Sequence, residues 1–93
     1  MTDSNPFEGK LFAATGQWED ISQAEVQMSV EVRGGVFKSG VTKKTDVLVA
    51  GEKGGAKLAK AQELGVRVID IREFRAMCAA VPITDEMKRR YLG

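Results

Sequence analysis

Histidine is absent from this sequence, and with it the usual general base and the commonest metal ligand. Cysteine occurs once, as Cys78, so neither an internal disulfide nor a thiolate metal cluster can form, and nothing ties the fold to an oxidising compartment. Cys78 lies in a segment of apolar periodicity, where a thiol is a small core residue rather than a nucleophile. Carboxylates are plentiful, but their spacing outlines no acid–base pair. No apolar run approaches the roughly 20 residues that cross a bilayer. The opening stretch MTDSNPFEGK also lacks the basic start and apolar core of a secretory signal. Together these absences exclude most enzymatic chemistry, call for no metal or cofactor and no membrane partner, and point to the cytosol.

What is present is ordinary globular material: 43% hydrophobic and 29% charged residues in a 93-residue chain. That is enough for one domain and too apolar for a disordered tail. The net charge is +1, but its distribution is uneven. Residues 1–31 hold six acids against one base, and residues 32–60 hold seven bases against two acids. The basic middle comprises Arg33, Lys38, Lys43, Lys44, Lys53, Lys57 and Lys60. Such a segment suits an anionic partner, nucleic acid or phosphopeptide; equally, short windows of surface lysines arise by chance.

Strand-like and helix-like segments alternate. Leu11 to Thr15 is a short apolar run after a Glu8-Gly9 turn and reads as a buried strand. Ser22 and Glu25 have the spacing of a capping box that opens a helix. That helix ends at Gly34-Gly35, with Gly35 expected in the left-handed conformation of a C-cap. Val36-Phe37-Lys38, Asp46 to Ala50 and Arg67 to Ile69 read as three further strands. A helix over Ala56 to Leu64 stops at Gly65. A last helix is capped by Asp70, carries Phe74, Met77, Cys78 and Val81 on one face, and closes before Pro82. The order β-α-β-β-α-β-α with continuously apolar strands implies a mainly parallel sheet covered on both faces. Residues 1–6 form a loose lead-in, residues 7–81 the domain, and residues 82–93 a tail or linker with room for one more helical turn.

The string GGVFKSGVTKKTDVLVAGEKGGAKLAKAQELGVRVID, with the earlier FEGKLFAATG, resembles the BRCT domain. It is most similar to the subgroup found in bacterial NAD-dependent DNA ligases and the large subunit of replication factor C. The matching parts are a T-G after the first strand, G-G closing the first helix, the run V-x-K-K-T-D-x-L-V-x-G, and K-x-x-K-A-x-x-L-G in the second helix. The resemblance spans Phe7 to Val81. It implies a four-stranded parallel sheet in spatial order 2-1-3-4, with helices one and three on one face and helix two on the other. It also implies a non-catalytic binding module of a DNA repair or replication protein, possibly cut from a longer ligase, polymerase or exonuclease. Its place would be the bacterial cytoplasm or nucleoid, or the nucleus of a eukaryote. Its expected ligand is DNA with a 5′-phosphorylated end; phosphopeptide or protein partners are the alternative, through phosphate-independent docking or dimerisation.

By the same resemblance the phosphate falls to Thr15, Gly16 and Lys57, with a helix-one position that is usually Arg in this subgroup and is Gln23 here. Gln23 can donate a hydrogen bond to a phosphate oxygen but can neither neutralise it nor grip it as a fork. The chemistry has its own logic. A hydroxyl, a glycine N–H open to close approach and the helix start at Gly54-Gly55-Ala56 together form an anion seat. Lys57 stands in a first turn whose dipole prefers acids, a placement that favours a ligand over the helix. Lys43, Lys44, Lys53 and Lys60 are candidate contacts to DNA backbone, although Lys43-Lys44-Thr45-Asp46 also reads as a structural turn. Gly51 to Lys57 hints at a nucleotide P-loop but lacks the required G-K-[ST]. Trp18 reads as packing rather than base stacking. On helix one, Val26 and Val30 form one apolar stripe and Ile21, Met28 and Val32 another, both expected to be buried.

Overall fold

The computed structural model describes residues 5–52 and 55–92; Lys53, a candidate contact to DNA backbone, and Gly54, part of the expected anion seat, lie outside them. Four strands, β1 (Leu11–Thr15), β2 (Val36–Phe37), β3 (Val47–Ala50) and β4 (Arg67–Ile69), alternate with α1 (Gln23–Glu31), α2 (Gly55–Leu64) and α3 (Ile71–Ala80). They form one sheet in the order β2-β1-β3-β4, every pair parallel, as the resemblance implies.

Alternation along the central strands separates two cores. Phe12 and Ala14 of β1 and Val47 and Val49 of β3 join Val26 and Val30 of α1 and Phe74 of α3 on one face. Ala13 and Leu48 join Ala61 of α2 and Val41 of the β2–β3 crossover on the other. Both faces of β1 and β3 are therefore buried, which is why these strands are apolar throughout.

The caps behave as their spacing requires. Ser22 Oγ accepts from Glu25 N at 3.2 Å while Glu25 Oε1 accepts from Ser22 N at 3.2 Å. Asp70 Oδ1 accepts from Glu73 N at 2.8 Å. The end of α1 departs from expectation. The left-handed residue is Gly34, with φ +92°, and Gly35 does not share that conformation. Gly35 is constrained by crowding instead: a Cβ there would lie 2.5 Å from Val30 Cγ1 and 3.0 Å from the Phe7 carbonyl oxygen. The second stripe of α1 also divides. Val32 is buried and Ile21 packs on the larger core, but Met28 is 60% exposed.

Arg33, counted from the sequence among the basic surface residues, is only 6% exposed. Its Nε donates to the Val81 carbonyl at 2.6 Å, Nη1 to the Ser29 carbonyl at 2.9 Å and Nη2 to the Cys78 carbonyl at 3.3 Å. Its guanidinium carbon lies 5.5 Å from the centre of the Phe7 ring. One fixed fork thus satisfies carbonyls in the last turns of both α1 and α3, where the helix dipoles favour a cation.

The chain beyond α3 is helical as well. Thr84 caps α4 (Asp85–Met87), which continues as a π-helical turn over Lys88–Leu92. Met87 packs on the larger core, and Tyr91 donates its hydroxyl to Glu8 Oε2 at 3.2 Å. A Cβ at Gly34 would lie 2.8 Å from that same hydroxyl oxygen. This segment is docked on the domain.

Candidate anion-binding site

Parallel α/β sheets gather their ligand positions at the carboxyl ends of the strands, where the loops to the helices begin. Here that edge is the junction of the β1–α1 and β3–α2 loops. The Thr15 carbonyl accepts from Gly51 N at 2.8 Å. Gln17 and Glu52 then exchange two backbone hydrogen bonds of 3.0 Å, an antiparallel bridge that clips the loops together.

Gly16 has φ +84°, and a Cβ on it would lie 2.4 Å from the Glu52 carbonyl oxygen. Backbone against backbone thus demands glycine at this position, independently of any ligand. Thr15 is 6% exposed, and alternation from Ala13 puts it on the α2 face of β1. Gln23, in the first turn of α1, donates Nε2 to the Gly16 carbonyl at 3.3 Å, so its amide braces the loop where the subgroup's usual arginine would carry charge. Lys57, in the first turn of α2, donates Nζ to the Ser39 carbonyl at 2.6 Å. Since α2 follows β3 and Ser39 follows β2, with β1 between those two strands, this ammonium lies across the α2 face of β1. The structure therefore groups Thr15, Gly16 and Gln23 around one loop, with Lys57 reaching over the same strand.

The candidate backbone contacts are not grouped with them. The crossover that carries Lys43 and Lys44 runs back toward the opposite end of the sheet, where Asp46 N donates to the Leu11 carbonyl at 2.8 Å. Leu11 and Thr15 are four residues apart along β1, about 13 Å, so the crossover ends well away from Gly16. Thr42 and Thr45 fix the turn between them: Thr45 Oγ1 accepts from Thr42 N at 3.0 Å and Thr42 Oγ1 from Lys44 N at 3.2 Å. Lys43 and Lys44 are exposed, as is Lys60 on α2. With Lys57 they belong to α2 and to the crossover whose Val41 packs beside Ala61 of α2, not to the Gly16 loop.

The α1 side of the seat has the opposite sign. An open cleft of about 660 Å³ beside Gly16 is lined by Glu19, Asp20 and Glu25 as well as Trp18 and Gln23. Arg75 of α3 reaches Asp20 at 2.8 Å, and this hydrogen-bonded pairing holds the Asp20 carboxyl below the usual carboxylate range. Trp18 packs on the larger core, with its indole edge against Gly51: a Cβ on that glycine would lie 2.8 Å from Trp18 Cε2. Packing, not base stacking, accounts for it. The Arg75 clamp, the Gln17–Glu52 bridge and the Ser39 partner of Lys57 had no signal in the sequence, because each joins elements far apart in the chain.

A four-stranded parallel sheet, a helix pair on one face, a single helix on the other and a glycine-tight junction at the end of β1 define a small adaptor domain, a binding module rather than an enzyme. The chain belongs to the BRCT family: residues 2–77 match the family described as the BRCA1 C Terminus (BRCT) domain. It is 46% identical over 74 residues to a DNA ligase of Prochlorococcus marinus (strain NATL1A), covering 80% of this chain and 11% of that protein. It is also 46% identical over 77 residues to a DNA ligase of Myxococcus xanthus (strain DK1622), covering 83% of this chain and 12% of that protein. The chain thus spans about a tenth of the length of the ligases it matches. Among solved structures, it superposes with a TM-score of 0.73 on Rad4 BRCT1,2 in complex with a Mdb1 phosphopeptide, at 16% identity over 88% of this chain and 44% of the other. Rad4 BRCT3,4 of S. pombe superposes with a TM-score of 0.68 at 17% identity, over 90% of this chain and 47% of the other. Among the described residues no helix is long and apolar enough to cross a membrane.

Proposed function

We propose that this BRCT domain binds DNA through a 5′-phosphorylated end, as the recruiting module of a ligase-like repair or replication protein. The observation that supports the reading is Lys57: from the first turn of α2 its ammonium reaches the Ser39 carbonyl beyond β2, and β1, the strand that leads into Gly16, lies between β2 and β3. An ammonium has three donors, so contact with the Ser39 carbonyl leaves capacity for a phosphate oxygen. Thr15 and Gly16 supply the loop against which the phosphate rests. The exposed Lys60, Lys43 and Lys44 continue the same positive face, along which a duplex backbone would lie. The DNA ligase relatives support this partner over others.

Gln23 favours a second reading, a docking module that uses no phosphate, because its amide is turned onto the Gly16 carbonyl and brings no charge. Fluorescence anisotropy with 5′-phosphorylated and unphosphorylated duplexes separates the two. On the first reading, Lys57→Ala weakens phosphorylated DNA much more than unphosphorylated DNA, by roughly tenfold to a hundredfold for a lost charged contact. Lys43→Ala and Lys44→Ala weaken both alike and lower the salt slope by about one unit per lost phosphate contact. Gln23→Arg tightens phosphate-dependent binding. If neither Lys57→Ala nor Gln23→Arg changes affinity, the docking reading stands.

A further inference from the structure

The seat divides charge of opposite sign, and the division follows the two faces of the sheet. On the α2 face lie α2 itself, with Lys57 and Lys60, and the crossover whose Val41 packs against it two residues before Lys43 and Lys44. On the α1 face the cleft beside Gly16 is lined by Glu19, Asp20 and Glu25. Asp20 is paired with Arg75 at 2.8 Å. Among the described residues, no salt bridge offsets Glu19 or Glu25. Glu25 spends its oxygen on the neutral Ser22 N–H, which leaves its charge in place.

We infer that Glu19 and Glu25 act as a barrier that makes the seat selective for a terminal phosphate over one within a continuous strand. The inference rests on the DNA-binding reading above. A terminal phosphate has a polyanion on one side only, and that side can follow the lysines of the α2 face away from the acids. A phosphodiester within a strand has neighbours on both sides, so seating it would force the next phosphates over the acidic cleft. Each phosphate about 8 Å from a carboxylate in water is repelled enough to weaken binding roughly twofold to threefold, before salt screening. Two acids together therefore discriminate by about three- to tenfold at low salt. The selectivity is repulsive, built against the wrong ligand rather than for the right one.

The test is the double variant Glu19→Gln/Glu25→Gln. Glutamine at the third helical position preserves the capping box, so α1 keeps its start. The probes are a blunt 5′-phosphorylated duplex and a dumbbell duplex closed at both ends by hairpins, titrated by anisotropy at about 50 mM and about 200 mM salt. The double variant binds the dumbbell several-fold more tightly while the phosphorylated end gains less, so the end-to-dumbbell selectivity falls, and the change fades at the higher salt. If thermal melting shows the double variant unfolded, the exposed Glu19→Gln alone carries the test and must lower the selectivity by about half of the double effect on a free-energy scale. Unchanged selectivity, in a protein where Lys57→Ala still weakens phosphorylated DNA, overturns the barrier and leaves the seat intact. A wild-type chain with no preference for phosphorylated ends overturns the DNA-end reading and the barrier together.

Discussion

Replacing Arg33 by methionine is expected to be among the costliest changes in this domain. Methionine fills much of the same channel but offers no donor, so the carbonyls of Val81, Ser29 and Cys78 lose their partner at once. A hydrogen bond from a charged donor contributes about 1.5–3 kcal/mol. The bond to Val81 is buried and the other two are partly buried, so water recovers part of the loss there. The expected destabilisation is about 3–5 kcal/mol, set mainly by the buried Val81 carbonyl and the lost contact with Phe7. For a domain of this size that lowers Tm by at least about 12 °C. Arg33→Lys keeps the charge but not the planar fork, and its loss should fall between wild type and methionine. Urea denaturation followed by far-UV circular dichroism measures all three proteins. A loss below about 1 kcal/mol for Arg33→Met would refute the reasoning, since it would mean the helix ends find other partners without strain.

Gly35→Val should destabilise the fold by about 2 kcal/mol or more, through the clash with Val30 rather than any demand for positive φ; Gly40→Ala, where an added Cβ meets nothing within 4 Å, is the neutral control in the same melting series. For Cys78, burial pushes the thiol pKa up, opposed in part by the nearby Arg33 charge. A raised pKa leaves less thiolate at any given pH, so alkylation by iodoacetamide at about pH 8 should be slower than for a free thiol and reach the free rate once urea unfolds the chain. Equal rates folded and unfolded would contradict the burial of this side chain.

Where sequence reading succeeded, the governing interaction is short in sequence. Ser22 with Glu25 and Asp70 with Glu73 are three residues apart, and each side chain meets the backbone its spacing predicts. The bounds of β1 and β4 follow from apolar runs ended by turn residues. Where the reading failed, the answer lay in a distant segment. Gly34 takes the left-handed turn, and the crowding of Gly35 comes from Val30 and the Phe7 carbonyl, Phe7 lying far away in the chain. Arg33 left the basic surface because α3 ends beside it, and Met28 stayed 60% exposed although it sits on an apolar stripe of α1. At the candidate site, Thr15, Gly16 and Lys57 came from the family motif alone. The face that Lys57 crosses, the inward turn of Gln23 and the distance to Lys43 and Lys44 required the sheet order to be known.

The contact between Tyr91 and Glu8 has a consequence for which end of the sheet is held. It brings the two ends of the described chain together at the pole of the sheet where β1 begins, while Gly16 stands at the pole where β1 ends. The helical segment after α3 and the approach to β1 thus brace one pole of the sheet, and the Gly16 junction sits at the other, separated by the length of β1.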